Sequence, residues 1–544
     1  ASAIAALAAA GDLPSAIAHV STACDSIDAA LDAGVFALHA ACRALLQDPG
    51  SGRVRIVCLR QDADATEFHG ALAGYLASLA LENPKFAWTV LSADLAGASA
   101  ALDPATLART LVDELQREGG RGTEARLRAA PEAGERVREV RRMVRFDPAG
   151  PASAGAKIKH RGVYLITGGL GGLGHVFGAH LASRYRARLV LTGRSPLDDA
   201  LRARIAILEA QGAEVCYVRA DITDPAQVQA AVAEARRRFS RIDGVIHAAG
   251  VHDDAFALHK GRDDMAAVIA AKVHGTRHLD AATRGDDLDL FVLFSSVSGA
   301  FGNAGQCDYA FGNAFQDAFA VRRQSRVAAG ERSGATLSIG WPFWREGGMR
   351  IDPADLAAAQ ARTGAAPLPT AAGLEAWDRL LDAGEAHAVV LYGDADRMSA
   401  TIAGKVGGTL AAAVSGDPDP VRAATTSAAA SAPASPVALR ETAEAYLRRL
   451  LGAEIKLSAD RIDIHEPFES FGLDSMMINR INAQLVEDLG DVPKTLFYEH
   501  PTIEALAIRL LALAGDALAR LPDAAGAGAG AVREPLQREP LHSE

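Results

Sequence analysis

The run VYLITGGLGGLG, from Val163 to Gly174, constrains this chain more than any other stretch. Residues that favour a buried strand stop at a turn holding Gly168, Gly169, Gly171, Gly172 and Gly174. Such a passage commits the backbone to a tight reversal into a helix, and backbone without Cβ atoms can approach a pyrophosphate at that helix's N-terminus. By itself the run could be only a tight turn. The next strand, however, ends LTGRS, which puts Arg194 where the adenosine ribose of a dinucleotide would lie. A guanidinium there suits a 2′-phosphate, so NADPH is favoured over NADH.

Strand-like runs alternate with helix-length segments: VYLIT (163–167), LVLTG (189–193), EVCYV (214–218), GVIHA (244–248), LFVLFSS (290–296), TLSIG (336–340) and AVVLY (388–392). This spacing predicts an α/β fold with a parallel, doubly wound sheet and helices on both faces. Residues 1–150 repeat the rhythm more faintly, with RVRIVCLR and FAWTVLSAD as strands and ALAGYLASLALENP as a helix, but without a glycine fingerprint. A nucleotide-free structural subdomain of truncated Rossmann type is expected there. The segment VRAATTSAAASAPASP, Val421 to Pro436, replaces any apolar period with small residues and proline, and reads as a flexible linker. DAAGAGAGAVREPLQREPLHSE closes the sequence in the same manner. Between them, ETAEAYLRRLLG, SMMINRINAQLVEDLG and TIEALAIRLLALAG read as the helices of a small all-α bundle. The expected organisation is a structural subdomain over 1–158, a catalytic Rossmann subdomain over 159–405, a linker over 406–436, the helical domain over 437–516 and a tail over 517–544.

Composition narrows the function classes. A net charge of −11 disfavours nucleic acid as a partner, because phosphate binding needs a basic face. The five cysteines, Cys24, Cys42, Cys58, Cys216 and Cys307, are scattered and never form CxxC, which fits a reducing cytoplasm and gives no metal site. No run approaches the length of an uninterrupted apolar membrane span, and the apolar start lacks a basic leader, so neither a membrane span nor a signal peptide is expected. Beginning at Ala1, the sequence reads as an excised or processed piece. HExxH, GxSxG and P-loop motifs are absent.

The chemistry concentrates in SSVSGAFGNAGQCDYAFGNAF, Ser295 to Phe315, which sets Tyr309 beyond Ser296 on a strand, loop and helix passage. A serine and a tyrosine so spaced point to carbonyl reduction, but a phenol needs a nearby lysine to become acidic enough, and one helical turn on stands Asn313. Four successive strand ends carry residues suited to a dinucleotide. These are Thr167, Gly168, Gly169, Gly171, Gly172, Leu173 and Gly174; Arg194 and Ser195; Asp221 and Ile222; and Ala248, Ala249 and Gly250. His252 and Cys307 have no partner at useful spacing and are assigned to packing.

With TGGLGGLG, LTGR, HAAG, KVHGT, FSSVSG, YAFGNAF and WPFWREGGM in place, residues of about 1 to 405 resemble the ketoreductase domain of modular polyketide synthases, a branch of the short-chain dehydrogenase/reductase superfamily. In that branch lysine and asparagine exchange places, which implies a tetrad of Ser296, Tyr309, Lys272 and Asn313. The resemblance implies that Tyr309 is the general acid, with its pKa lowered by Lys272. Ser296 would hold the substrate oxygen, and Asn313 would order Lys272 and a proton-supplying water. VHDD, ending at Asp253 and Asp254, with Phe301 where the opposite class tends to carry tryptophan, implies a D-configured (B-type) β-hydroxyl. His252 stands in place of the motif's leucine. FGLDSM resembles the attachment motif of acyl carrier proteins, with Ser475 as the residue that would carry 4′-phosphopantetheine. A serine opening a helix is also an ordinary N-cap. DVPKTLFYEHPTIEAL resembles carriers of synthases whose acyltransferase acts in trans. The implied partners are an ACP-tethered β-ketoacyl substrate, ketosynthase and acyltransferase domains, and a phosphopantetheinyl transferase. A reductively silent scaffold for the carrier, and a reductase of free ketones, are the alternatives.

Overall fold

The computed structural model describes residues 13–47, 52–60, 66–94, 103–117, 122–129, 136–146, 157–349, 351, 353–406, 436–455, 457–471, 475–490, 492–493 and 495–521. The expected linker core, 407–435, and the tail from 522 onward lie outside the described residues. The chain forms two compact units, Ala1–Ser415 and Gly416–Glu544.

The first unit holds two sheets. Strands β1 (Ala16–Ser21), β2 (Val54–Arg60), β3 (Phe86–Asp94) and β4 (Gly122–Ala129) run parallel in sequence order, and β5 (Arg136–Val140) closes the edge antiparallel to β4. Because this order never reverses, the sheet lacks the crevice that forms where a doubly wound order switches direction. Sequence patterning finds β2 and β3 but not β1, β4 or β5.

The second sheet is β6 (Val163–Thr167), β7 (Arg188–Gly193), β8 (Glu214–Arg219), β9 (Gly244–His247), β10 (Leu290–Ser296), β11 (Ala335–Trp341) and β12 (His387–Val389). All seven are parallel, in the order β12-β11-β10-β9-β6-β7-β8. Only β12 ends well short of its expected run. Order reverses at β6, and the glycine turn leaves the carboxyl end of that strand, so the crevice lies beside β6 and β9. Every residue of β6 and β9 is buried, as expected of central strands covered on both faces.

The halves meet through two long helices, Thr66–Glu82 and Cys307–Ala328. Small residues bring them close. A Cβ on Gly74 would sit 2.5 Å from the Ala310 carbonyl oxygen, while Phe68 and Phe315 pack with ring centroids 5.0 Å apart. Buried Glu67 accepts from Arg322 at 2.7 Å and pairs with Arg277 at 3.4 Å, both across this boundary. Among the described residues one helix, Ile27–Leu46, is long and apolar enough to cross a membrane. Here its Leu38, Cys42, Leu45 and Leu46 are buried in the protein, and His39 reaches Tyr75 and the Lys260 carbonyl.

The second unit packs helices Pro436–Ile455, Ser475–Leu489, Leu496–Glu499 and Ile503–Leu518 around Leu447, Leu451, Ile481, Leu485, Leu506 and Leu510. Buried Tyr446 donates to Asp488 at 2.6 Å, and Arg440 joins Glu444 and Glu504. Ser475 begins the second of these helices, and the preceding Asp474 lies outside the described residues.

Candidate active site

A cleft of about 950 Å³ runs along the carboxyl edge of the second sheet. At one end lies the glycine turn. Gly168 adopts φ +64°, a conformation that favours glycine, and its carbonyl accepts from Gly171 N at 2.8 Å. A Cβ on Gly174 would run into the Gly168 carbonyl, and one on Gly172 into the Gly347 carbonyl of the WPFWREGGM loop. Turn, helix start and loop thus pack backbone on backbone, and the glycine-lined helix N-terminus that they hold against the cleft is a cradle that fits the pyrophosphate of a dinucleotide.

Gly168, Gly171, Gly172, Leu173, Gly174, Arg194, Ser195, Asp221, Ile222, Ala248, Ala249 and Gly250 all line the cleft. Thr167 and Gly169, expected as contacts, do not. Gly169 packs beneath Leu191, and the Thr167 hydroxyl is turned inward, 2.7 Å from His247 Nδ1. His247 shows why. Its Nε2 lies 3.1 Å from the Ala271 carbonyl, which can only accept, so Nε2 carries the hydrogen and Nδ1 accepts from Thr167. Thr167 Oγ1 accepts in turn from Ala249 N at 3.3 Å. Burial holds this imidazole neutral, at about 3, with the Lys272 charge adding to the effect. One ring therefore locks the glycine strand, the β9 end and the lysine helix together. Arg194 and Ser195 are steadied from β8, where Arg219 Nε donates to the Arg194 carbonyl and the Tyr217 hydroxyl to the Ser195 carbonyl, at 2.9 and 2.6 Å. The EVCYVR run carries no motif that would have pointed to either role.

Ser296, Tyr309 and Lys272 converge on the other end of the cleft. Ser296 ends β10 and caps the short Val297–Phe301 helix, its Oγ accepting from Ser298 N at 3.2 Å. Tyr309 lies in the first turn of the Cys307–Ala328 helix. Lys272 comes from the Arg262–Ala282 helix, and its stem fits between glycines: a Cβ on Gly312 or Gly250 would lie 3.0 or 3.1 Å from the lysine side chain. The ammonium donates to the Phe294 carbonyl at 2.5 Å and lies 5.7 Å from the centroid of the Tyr309 ring. Burial pulls Lys272 down to about 8.

Two expectations are corrected here. The Tyr309 hydroxyl lies above its usual pKa, because burial of the phenolate outweighs hydrogen bonding to Asn313 and Ser296, and the ammonium is committed to a backbone carbonyl over the ring. Asn313 does not line the cleft and makes no bond to Lys272. It is fully buried, donating to the Tyr309 carbonyl at 2.8 Å and to Ser298 Oγ at 3.4 Å, with its Oδ1 buried and unpartnered. It ties the tyrosine helix to the turn after Ser296.

Phe301 lines the cleft, and so does His252, which had been assigned to packing. His252 Nδ1 lies 3.9 Å from Asp254. Asp254 stands outside the lining, exposed, and accepts from Gln306 Nε2 at 2.8 Å. Cys307 is fully buried, in keeping with packing. Met349, Ile351, Leu391 and Tyr392, all exposed, form an apolar rim. Sequence reading passed over Gln306, Trp341 and Trp344 as lining residues.

Both units have counterparts among known proteins. Residues 162–346 match the KR domain family, and residues 445–510 match the phosphopantetheine attachment site family. Polyketide synthase PksL of Bacillus subtilis is 37% identical over 360 residues, which is 65% of this chain and 8% of that protein. Polyketide synthase ThaG of Burkholderia thailandensis is 37% identical over 470 residues, 84% of this chain and again 8% of the relative. The chain thus spans under a tenth of these relatives. Among solved structures, a ketoreductase domain from the bacillaene assembly line aligns with a TM-score of 0.61 and 31% identity, covering 70% of this chain and 88% of that one. An N-terminal ketoreductase from the macrolactin assembly line aligns at 0.60 and 29%, covering 74% and 78%.

Proposed function

The chain belongs to the ketoreductase family of polyketide synthases, with a phosphopantetheine-attachment domain following the reductase, and we propose that it reduces a carrier-bound β-ketoacyl thioester to the β-hydroxyacyl thioester with NADPH. The observation that carries the reading is the convergence of Ser296, Tyr309 and Lys272 on a cleft that continues to the glycine cradle. NADPH, bound along that cradle with its 2′-phosphate near Arg194, would supply hydride to the carbonyl carbon. Ser296 Oγ donates to the substrate oxygen and favours the charge that develops there. Tyr309 donates the proton to that oxygen. Burial keeps the phenol protonated but makes it a weaker acid, so the transfer is driven by the much greater basicity of the alkoxide that forms as hydride arrives. Lys272, cationic below about 8, steadies the phenolate left behind, and Asn313 holds the tyrosine helix against the Ser296 turn.

Ser475, at the start of its helix, would carry the phosphopantetheine, whose phosphodiester the helix N-terminus favours. The Asp254 and Phe301 pair supports a D-configured product. The DVPKTLFYEHPTIEAL segment supports a synthase of the type served by an acyltransferase in trans, with ketosynthase domains and a phosphopantetheinyl transferase as partners, and the scattered cysteines support a cytoplasmic setting. Incubation with NADPH and a β-ketoacyl pantetheine thioester, followed by chiral chromatography, tests activity and configuration together. Absence of NADPH oxidation by the folded protein would leave the silent-scaffold alternative.

A further inference from the structure

We infer that Glu82, a residue of the N-terminal half that touches neither cofactor nor substrate, is a positioning residue that fixes which face of the ketone is reduced, by holding in register the two loops that wall the substrate end of the cleft. The inference rests on the ketoreductase reading above.

Glu82 ends the Thr66–Glu82 helix and is fully buried. Its Oε2 accepts from Ala257 N at 2.7 Å and its Oε1 from Gly305 N at 2.9 Å. One carboxylate thereby bridges loop 251–260, which brings Val251 and His252 to the cleft, and loop 302–306, which brings Gly302, Asn303 and Gln306. The loops are joined again by Ala255 N donating to the Gly305 carbonyl and by Gln306 donating to Asp254.

The same half of the protein grips both loops elsewhere. Ser78 Oγ accepts from Asn303 N at 3.0 Å, Arg43 Nε donates to the Leu258 carbonyl at 2.9 Å, and His39 meets the Lys260 carbonyl. From Lys260 the path reaches the site itself. Its ammonium pairs with Asp308 at 2.5 Å inside the protein, and the other Asp308 oxygen accepts from Tyr309 N at 2.8 Å. Hydride arrives from a fixed nicotinamide face, so the configuration of the alcohol depends on how these walls seat the ketone. A loop displaced by a fraction of an ångström presents the other face more often.

The chemistry of Glu82 makes this separable from ordinary packing. Two N–H donors need two acceptors, which a carboxylate has and an amide has not. In Glu82→Gln one loop amide would face an NH₂ group, while volume and apolar contacts are retained. Glu82→Asp keeps both acceptors on a stem one methylene too short to reach both loops. The control is Arg322→Gln, which removes the ion pair to Glu67 at the same boundary.

Each protein is assayed at pH 8, above the value of about 7 to which burial lifts Glu82, with a β-ketoacyl pantetheine thioester and NADPH. The ratio of enantiomeric alcohols is expected to fall about tenfold in Glu82→Gln, as one buried hydrogen bond is lost, and less in Glu82→Asp. NADPH affinity is expected to stay within twofold, and Arg322→Gln to keep the parent ratio. An unchanged ratio in both Glu82 variants, or equal erosion in Arg322→Gln, overturns the inference. Inactivity of the parent protein overturns the ketoreductase reading instead, and hydrogen exchange then decides on Glu82. The 251–260 and 302–306 segments should exchange at least tenfold faster in Glu82→Gln than in Arg322→Gln, and equal rates refute the positioning role.

Discussion

Between pH 7.5 and pH 10 the catalytic unit should gain stability while losing activity, both through Lys272. Lys272 is 4% exposed, and burial lowers its ammonium from 10.5 to about 8. Between these two values the unfolded chain holds the proton that the folded protein has released, so the free energy of unfolding rises with pH. The contribution is complete above 10.5 and is lost as pH falls through 8. At about 1.4 kcal/mol per tenfold change in proton affinity, holding the charge inside the fold costs about 3 kcal/mol, of which about 2 kcal/mol is recovered between pH 7.5 and 10. Lys272→Met keeps a flexible stem between Gly250 and Gly312 and removes the titrating group. Other groups titrate alike in both proteins, so the difference between parent and variant isolates Lys272. Denaturant unfolding can be followed by the fluorescence of Trp341, Trp344 and Trp377, which cluster in the catalytic core. The parent should gain about 2 kcal/mol on the variant across that interval, while its own kcat/KM for ketone reduction falls about tenfold per pH unit above 8. A stability difference that does not change with pH, or a rate that stays flat to pH 9.5, would refute the argument.

Tyr309→Phe should lower ketone reduction by about 10²- to 10⁴-fold, the usual worth of a general acid, with NADPH still quenching the tryptophans of the cleft. Gly172→Ala places a methyl group against the Gly347 carbonyl, so NADPH affinity should fall by about tenfold or more in a titration followed by the same fluorescence. Arg194→Ala should cut the preference for NADPH over NADH on the order of tenfold in steady-state kinetics, since NADH offers nothing for the guanidinium to bind. Treatment with a phosphopantetheinyl transferase and coenzyme A should add one phosphopantetheine to the parent chain and none to Ser475→Ala, as read by mass spectrometry.

Much of the second sheet was legible because its strands are buried on both faces and therefore written as continuous apolar runs. The strands that escaped are written differently. β4 and β5, GTEARLRA and RVREV, are joined by Arg126 and Arg128 meeting Glu139, while Arg138 reaches Glu114 of the Pro104–Leu115 helix, so charge stands where an apolar pattern would be sought. β1 is an edge strand with an alternating, half-exposed face. At the site, Ser296, Tyr309 and Lys272 were found by spacing and resemblance. The direction of the Tyr309 shift could not be, because it depends on how deeply the ring is buried and where the Lys272 ammonium points. Glu82 carried no signal at all: its partners are backbone amides of two remote loops, and backbone amides have no sequence signature.

The close packing of the Thr66–Glu82 helix on the Cys307–Ala328 helix bears on how such a reductase could be moved between assembly lines. The segment that matches the KR domain family starts at residue 162, yet a cut there would strip the tyrosine helix of Phe68, Gly74 and Glu67 and bare an apolar flank. The smallest piece that can be transplanted with its active site intact is therefore the whole of the first compact unit, both sheets together. Exchanging catalytic halves between synthases will succeed only where the two helices remain matched, small residue against small residue.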